Sequence, residues 1–599
     1  MPDLLPDPGF SSFPLPARTF RRIAAGHLDA EVVALLHAAE RSRRLLLLQH
    51  LITQCRQHPD LLGPLDGVAA ALDLLVAAER SNPATFEALL LDPHTGMWLA
   101  HALRLLSLPE PQDSASMLWT RLGALSTLAV SAALQARIPF SIRVPLQDGQ
   151  LYLPGAGRLD LGPAKGPAVA LASSEAGELT VEGLGRQITL HPSALESPPV
   201  VRASAGAGPV LQVRIDHLDP LPARVGLPPP IPLDPEAVEN WRTSLQQAWT
   251  LLGSDHPAET APLSAGLKSL LPLSSQGSGP TAGSSADAFG AAAMALLPDT
   301  TDLACALVHE FRHSVLNGLM RLVPLYRPEP GRPGFYAPWR DDPRPLPGML
   351  HGAYAFSAVT SFWEARRAID QGDAARRAEL EFSLARLNTM TVLDQLEGSD
   401  QLTGHGREFL AELRLNATGW SAAAVSAEAD RLARIVAMTH RATWRAHHVR
   451  VDADWVRSTA RAWLDRAEPP RTTPAERISR DPQAHGLSSV FVLARFSFCG
   501  FSGPLPASWG IAAERDFSGG DRLLVTADSE AAAQRYLSAI AEGPDDARPW
   551  GGLALSSPVL RMNPERVRAV YREVRALSPT PPDVIELAGW LSPQPPGTA

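Results

Sequence analysis

The stretch "LACALVHEFRHSVLNGLMRLVPL" runs from Leu303 to Leu325 and carries His309-Glu310-Phe311-Arg312-His313 at its centre. At 3.6 residues per turn, His309 and His313 leave one helix face a single turn apart, so both imidazoles can reach one ion. Leu303, Leu307, Phe311 and Leu322 form a packing stripe, and nearly everything else except His, Glu and Arg is apolar. A helix apolar on most sides is buried. Two histidines and a glutamate inside it need partners, because unpaired buried polar groups are expensive. Thr300 or Thr301 can cap this helix, with Asp302 in its first turn. A chance match to the pattern is the competing reading, and placement on a buried, capped helix argues against it. The segment predicts a zincin-like metal helix, with His309 and His313 as ligands and Glu310 as the catalytic carboxylate.

The third ligand separates the classes. Metzincins place a third His six residues past the second, but Leu319 stands there, and Leu316 occupies the Gly position. Gluzincins take a Glu from a later helix, where "GMLHGAYAFSAVTSFWEARRAID" offers both His351 and Glu364. Thirteen residues place these roughly 220° apart around a helix, so only one can face the ion. The face of His351 continues through Tyr354, Ala358 and Phe362 and is fit to line a pocket. That of Glu364 continues through Arg366, Arg367 and Asp370 and reads as solvated. His351 is therefore the expected ligand, and Tyr354 the expected pocket wall.

Between the two helices lies "YAPWRDDPRPLPG", Tyr336 to Gly348, with Trp339, Arg340, Asp341, Asp342 and Arg344 in a proline-locked loop. A zinc peptidase does not need two arginines beside its metal. Arginine's planar fork suits carboxylates, and two of them suit a small dianion. The plain alternative is a loop staple, Arg340 or Arg344 paired with Asp341 or Asp342. The residues alone leave both open.

The rest of the chain sets the frame. Its 599 residues suffice for three or four domains, and 45% hydrophobic with 20% charged residues is the balance of a well-cored protein. A net charge of -9 gives no electrostatic footprint for nucleic acid. Cys55, Cys305 and Cys499 are too few and too scattered for a disulfide framework or a zinc ribbon. The first residues lack the basic-then-apolar layout of a signal peptide, and no run approaches the ~18 apolar residues that span a bilayer. A cytoplasmic location is expected, with no membrane or nucleic-acid partner.

Periodicity divides the chain into a helical region (1–137), an antiparallel β region (138–225), a metal-binding catalytic domain (226–468) and a C-terminal helical region (469–599). The fold class is α+β, mostly helical. Within the catalytic domain, Asp234 suits a helix N-cap, and "FGAAAMALLPD" from Phe289 reads as a buried strand. Its edge could take up an extended peptide as one more strand, with Phe289 touching substrate. Near the C-terminus, Ala532, Tyr536, Pro544, Trp550 and Leu553 fall on the offsets of one tetratricopeptide-like helix pair. The preceding half does not fit, because Asp516 and Gly519 stand where Trp and Leu belong.

The blocks "HEFRHSVLNGLMRLVPL" and "YAPWRDDPRPLPGMLHGAYAFSAVTSFW", with "SRRLLLLQHLI" and "AFGAAAMALLPD", resemble the HExxH-motif family of peptide-modifying proteins found beside ribosomal-peptide gene clusters. The likeness covers roughly 20–60 and 285–365. It implies an α-ketoglutarate-dependent peptide β-hydroxylase that uses a zincin-like motif to hold Fe(II), consumes O2 and acts on a precursor peptide. It implies His309, His313 and His351 as metal ligands, and Arg340 and Arg344, beside Trp339, for the co-substrate. Non-haem iron oxygenases usually present two histidines and one carboxylate. Either this is a three-histidine site, or Glu310, Asp341, Asp342 or Glu364 supplies a carboxylate. The alternative is a zinc metallopeptidase in which Glu310 is the general base. A non-enzymatic scaffold using the tetratricopeptide-like end is a third class, and the buried metal helix argues against it.

Overall fold

The computed structural model describes residues 13–107, 115–175, 177–224, 228–274, 282–332, 334–486, 489–499 and 518–592. It is mostly helical, with two larger sheets. The described residues up to Val323, apart from Ala24–Gly26, form one compact unit. Ala24–Gly26 and the residues from Pro324 onward form a second.

The first unit begins with the expected helices, among them Ala30–Gln57, Val68–Ser81, Pro93–Leu106 and Ala124–Gln135. Side-chain caps start several of them, Asp29 on Val32 N (2.9 Å) and Asp92 on His94 N (2.9 Å). Their apolar faces share a core with a six-stranded antiparallel sheet. Its strands are β1 (Phe140–Gln147), β2 (Gln150–Leu153), β3 (Gly157–Asp160), β4 (Pro167–Glu175), β5 (Glu178–Gly183) and β6 (Arg186–Leu190), in the order β3-β2-β1-β4-β5-β6. β1 buries every second residue, as a one-sided sheet requires.

The expected antiparallel region over 138–225 needs one correction. β7 (Val200–Ala203) and β8 (Leu211–Ile215) leave that sheet for a second one. There β8 pairs in parallel with β9 (Ser269–Leu273), which pairs in parallel with β11 (Ala291–Ala295). The reason is burial: all five residues of β9 are covered, which suits a central parallel strand. The strand expected in "FGAAAMALLPD" is β11, but its supposed open edge is occupied. β10 (Ala282–Gly283) pairs with Met294 and Ala293, so β11 lies inside the sheet.

The second unit is built on the helices Leu346–Ile369, Gly372–Glu397, Gly404–Ala422, Ala427–His448 and Ala453–Leu464. Its C-terminal part packs Ala532, Tyr536, Trp550 and Leu553 into one core, all 3% exposed or less. Trp550 Nε1 donates to Pro544 O (3.3 Å), and the helix after that proline runs only Arg548–Gly552. Asp516 lies outside the described residues. No helix among the described residues is long and apolar enough to cross a membrane.

Candidate metal centre

The expected metal helix runs Thr300–Leu322 in the first unit, and Asp299 is its N-cap, accepting from Asp302 N at 2.9 Å. Thr300 and Thr301 are already helical, so the cap lies one residue before the expected pair. The Thr300 hydroxyl donates instead to Gln247 Oε1 (3.3 Å). Leu303, Leu307 and Phe311 are buried as the stripe required, and Cys305 is buried with them.

The helix is held along its length. Gly290 takes φ +87°, and a Cβ there would stand 2.6 Å from Gly266 O, so only glycine permits this approach. Its N–H donates to Ser314 Oγ (2.8 Å), fastening the entry to β11 onto the helix. Arg312 donates to Glu259 Oε1 (2.6 Å). At the far end Arg321 reaches Asp287 (2.7 Å) and Glu40 (3.5 Å), which ties the last turn to the helix Ala30–Gln57.

On this rigid support the two imidazoles converge. Nε2 of His309 and Nε2 of His313 stand 2.9 Å apart, with the rings 86° to one another. Two cis ligands at about 2.1 Å from one ion would be ~3.0–3.4 Å apart, so the pair is close to ligating geometry. It is equally a hydrogen bond if one Nε2 carries a proton. Glu310 Oε1 lies 4.0 Å from His309 Nε2, and the ligand atoms of all three residues fall within 4.8 Å. Glu310 is 5% exposed, and its Oε2 is buried without a hydrogen bond among the described residues. Burial pushes its carboxyl up to about 8 and His309 down to about 4. A neutral imidazole with its lone pair available and a carboxyl lacking a counter-charge are what a cation would satisfy. This mixed nitrogen and oxygen set fits a borderline metal such as zinc or iron.

The other expected residues belong to the second unit, except Phe289. His351 lies in the first turns of the helix Leu346–Ile369, half-buried, and burial lowers it to about 4. Trp339 stacks on Phe356 at 4.1 Å and 13°. A Cβ at Gly352 would strike the Trp339 ring at 2.1 Å, so glycine beside His351 is what admits the indole. Both arginines meet on one carboxylate: Arg340 Nε donates to Asp342 Oδ1 (3.0 Å) and Arg344 Nη1 to Asp342 Oδ2 (3.4 Å). Burial alone would raise the Asp342 carboxyl, but the two guanidiniums hold it below its ordinary value. Asp341 is employed elsewhere, accepting from Gly486 N (2.9 Å). The loop staple is thus present, with Arg340 half exposed and Arg344 37% exposed. Glu364 is half-buried. Tyr354 is fully buried against Phe409, and Phe289 is packed on His37 and Gly318.

Sequence reasoning passed over a second histidine site in the first unit. His94 Nδ1 sits 2.5 Å from Asp219 and 3.6 Å from Asp216, and Arg214 binds Asp216 (2.6 Å) and Asp92 (2.8 Å). Its signal is split between "LDPHT" and "RIDHLD", more than a hundred residues apart, and neither piece resembles a motif.

Compared with known proteins, the chain matches no family model and no curated protein.

Proposed function

We propose that the chain is an Fe(II)- and α-ketoglutarate-dependent oxygenase that hydroxylates a side-chain β-carbon in a ribosomally made precursor peptide. The observation that carries a metal-centred reading is the pair of Nε2 atoms, 2.9 Å apart on a buried, capped helix beside Glu310, whose Oε2 makes no hydrogen bond among the described residues. Iron with a keto acid, rather than zinc alone, rests on the resemblance of the WRDDPRP and LHGAYAF blocks. The same reading takes the helix as zincin-like, the C-terminal helices as tetratricopeptide-like and the location as cytoplasmic.

His309 and His313 would offer neutral lone pairs to the ion, with His351 third by that resemblance. Three uncharged imidazoles would leave the ion's charge undiminished, which favours an anionic co-substrate. Arg340 and Arg344 would bind the distal carboxylate of α-ketoglutarate, each sharing or releasing Asp342. Glu310 would hold a proton beside the ligands and orient them. With O2, the bound ion and keto acid would supply the oxidising equivalents, α-ketoglutarate leaving as succinate and carbon dioxide while one oxygen atom passes to the peptide.

One observation favours a second reading, a zinc metallopeptidase. The Glu310 carboxyl, raised by burial and 4.0 Å from His309 Nε2, stands where a group exchanging a proton with a metal-bound water would be needed. The readings part in one experiment. With Fe(II), O2, α-ketoglutarate and a precursor peptide encoded beside the gene, the oxygenase forms succinate and an uncut peptide about one oxygen atom heavier. Peptide cleavage with zinc in the absence of O2 overturns it.

A further inference from the structure

The first unit holds a cavity of about 550 Å³ that the metal-centred reading does not use. Its walls come from the helices Pro93–Leu106 and Ala124–Gln135, from β1 and β2, and from the segments around His217–Leu221 and Pro229–Pro230. A volume of this size is typical of small-molecule sites. Much of the wall is apolar, with Trp98, Leu128, Pro145, Leu218 and Pro230 among its residues.

Two polar side chains in that wall are buried and unused. His94 and Thr95 are each 4% exposed and both line the cavity. His94 Nε2 and Thr95 Oγ1 make no hydrogen bond among the described residues. Leaving a buried donor or acceptor without a partner costs about 1–3 kcal/mol, so folds rarely keep two side by side without a use. The other ring nitrogen of His94 is committed to Asp219 (2.5 Å). That bond orients the ring and, because the nearby carboxylates outweigh burial, raises the imidazole to about 9. At neutral pH Nε2 therefore carries a hydrogen and is a fixed donor. Thr95 Oγ1, one residue on, can donate or accept.

The charge balance selects the ligand. Asp92, Asp216 and Asp219 face Arg214 and the protonated His94, three negative charges against two positive. Elsewhere in the wall Arg158 is held by Glu196 (2.7 Å), and Arg121 and Asp148 add one charge of each sign, so the excess stays negative. A carboxylate or phosphate would enter against the excess negative charge. A neutral carbonyl would take the Nε2 hydrogen without that penalty, and an adjacent N–H would suit Thr95. We propose that this cavity is a binding site for a neutral amide-bearing ligand with apolar side chains, a short segment of peptide, gripped at a carbonyl oxygen by His94 and at the neighbouring amide by Thr95. The site is independent of the metal helix and needs no metal.

The test uses the full chain, without added metal, titrated with N-acetyl-leucyl-leucinamide and with its free-acid counterpart, N-acetyl-leucyl-leucine. Ligand-observed NMR should give a Kd on the order of 0.1–1 mM for the amide, in the range expected for a compound of that size. The free acid should bind at least tenfold more weakly. His94→Asn keeps a donor for Asp219 while deleting Nε2, and should weaken the amide at least fivefold. Ala124→Phe, which fills the cavity from its helical wall, should abolish binding; it alters no member of the charge cluster and so keeps the test open if the histidine variant unfolds. No binding of the amide at 10 mM on the order of probe solubility, tighter binding of the acid, or unchanged binding in Ala124→Phe each overturns the proposal. Turnover is not read, so loss of the oxygenase reading leaves this outcome untouched.

Discussion

Two histidine sites lie in the first unit, and they are opposites. At His309 no carboxylate offsets burial, and the ring is driven down to about 4. At His94, burial acts in the same direction, but Asp216 and Asp219 outweigh it and the ring rises to about 9. The same side chain is therefore a neutral lone-pair donor in one place and a cation in the other. Neighbouring charge, not depth, sets its role. A neutral histidine beside a carboxyl without a counter-charge suits a metal, whereas a charged histidine clamped by aspartates suits hydrogen-bond donation.

The sharpest way to break this contrast is to remove the ligands. His309→Ala or His313→Ala should lose essentially all bound metal after anaerobic Fe(II) loading, measured by elemental analysis. His351→Ala should lose most of it, while Glu364→Ala keeps it. Full occupancy in the His351 variant removes that residue from the ligand set.

The next effect belongs to the charged site. Breaking a buried ion pair by removing one partner costs about 3–5 kcal/mol. Asp219→Asn should destabilise the fold by roughly that much at pH 6, read by urea unfolding. Because the folded pKa of His94 (about 9) lies above the ordinary value of 6.5, its contribution is complete below pH 6.5 and is lost as pH rises through about 9. The gap between wild type and Asp219→Asn should therefore narrow between pH 6.5 and 9. A gap that is constant with pH would mean that His94 is neutral and the two sites are alike.

A smaller effect is expected at Arg340 and Arg344. Each already shares Asp342, so losing one leaves the other to meet a carboxylate. Either alanine variant should weaken α-ketoglutarate binding about tenfold, near the low end of the 1.5–3 kcal/mol of a charge-assisted bond, with metal content unchanged. Loss of both together points to a structural staple alone.

Local patterns carried much of this in the sequence. The helix Thr300–Leu322, the strand at Ala291–Ala295 and the cap at Asp234 follow from spacing and end signals within a few residues. What stayed hidden depends on partners distant in the chain. Nothing near β11 announces that Ala282–Gly283 covers its edge, since a two-residue strand has no periodicity. Nothing in "LDPHT" announces that Asp219 will reach His94, because that pairing is created by packing the helix Pro93–Leu106 beside the end of β8. Similarly, Gly352 reads as an ordinary helix weakness until Trp339 lies on it.

The smallest effect separates support from ligation. Asp299 caps the metal helix through Asp302 N, while the Thr300 hydroxyl points to another helix and Thr301 is already in the first turn. Replacing an N-cap aspartate with alanine costs about 1 kcal/mol and frays only the first turn. His309 and His313 stand two and three turns further in, where Ser314, Arg312 and Arg321 hold the helix to its neighbours. Asp299→Ala should therefore lower the unfolding midpoint slightly, Thr301→Ala should change it less, and both should keep full metal content. If Asp299→Ala sheds its metal as the histidine variants do, the pair at 2.9 Å depends on the helix start, and the comparison with the independently clamped His94 becomes one of rigidity before charge.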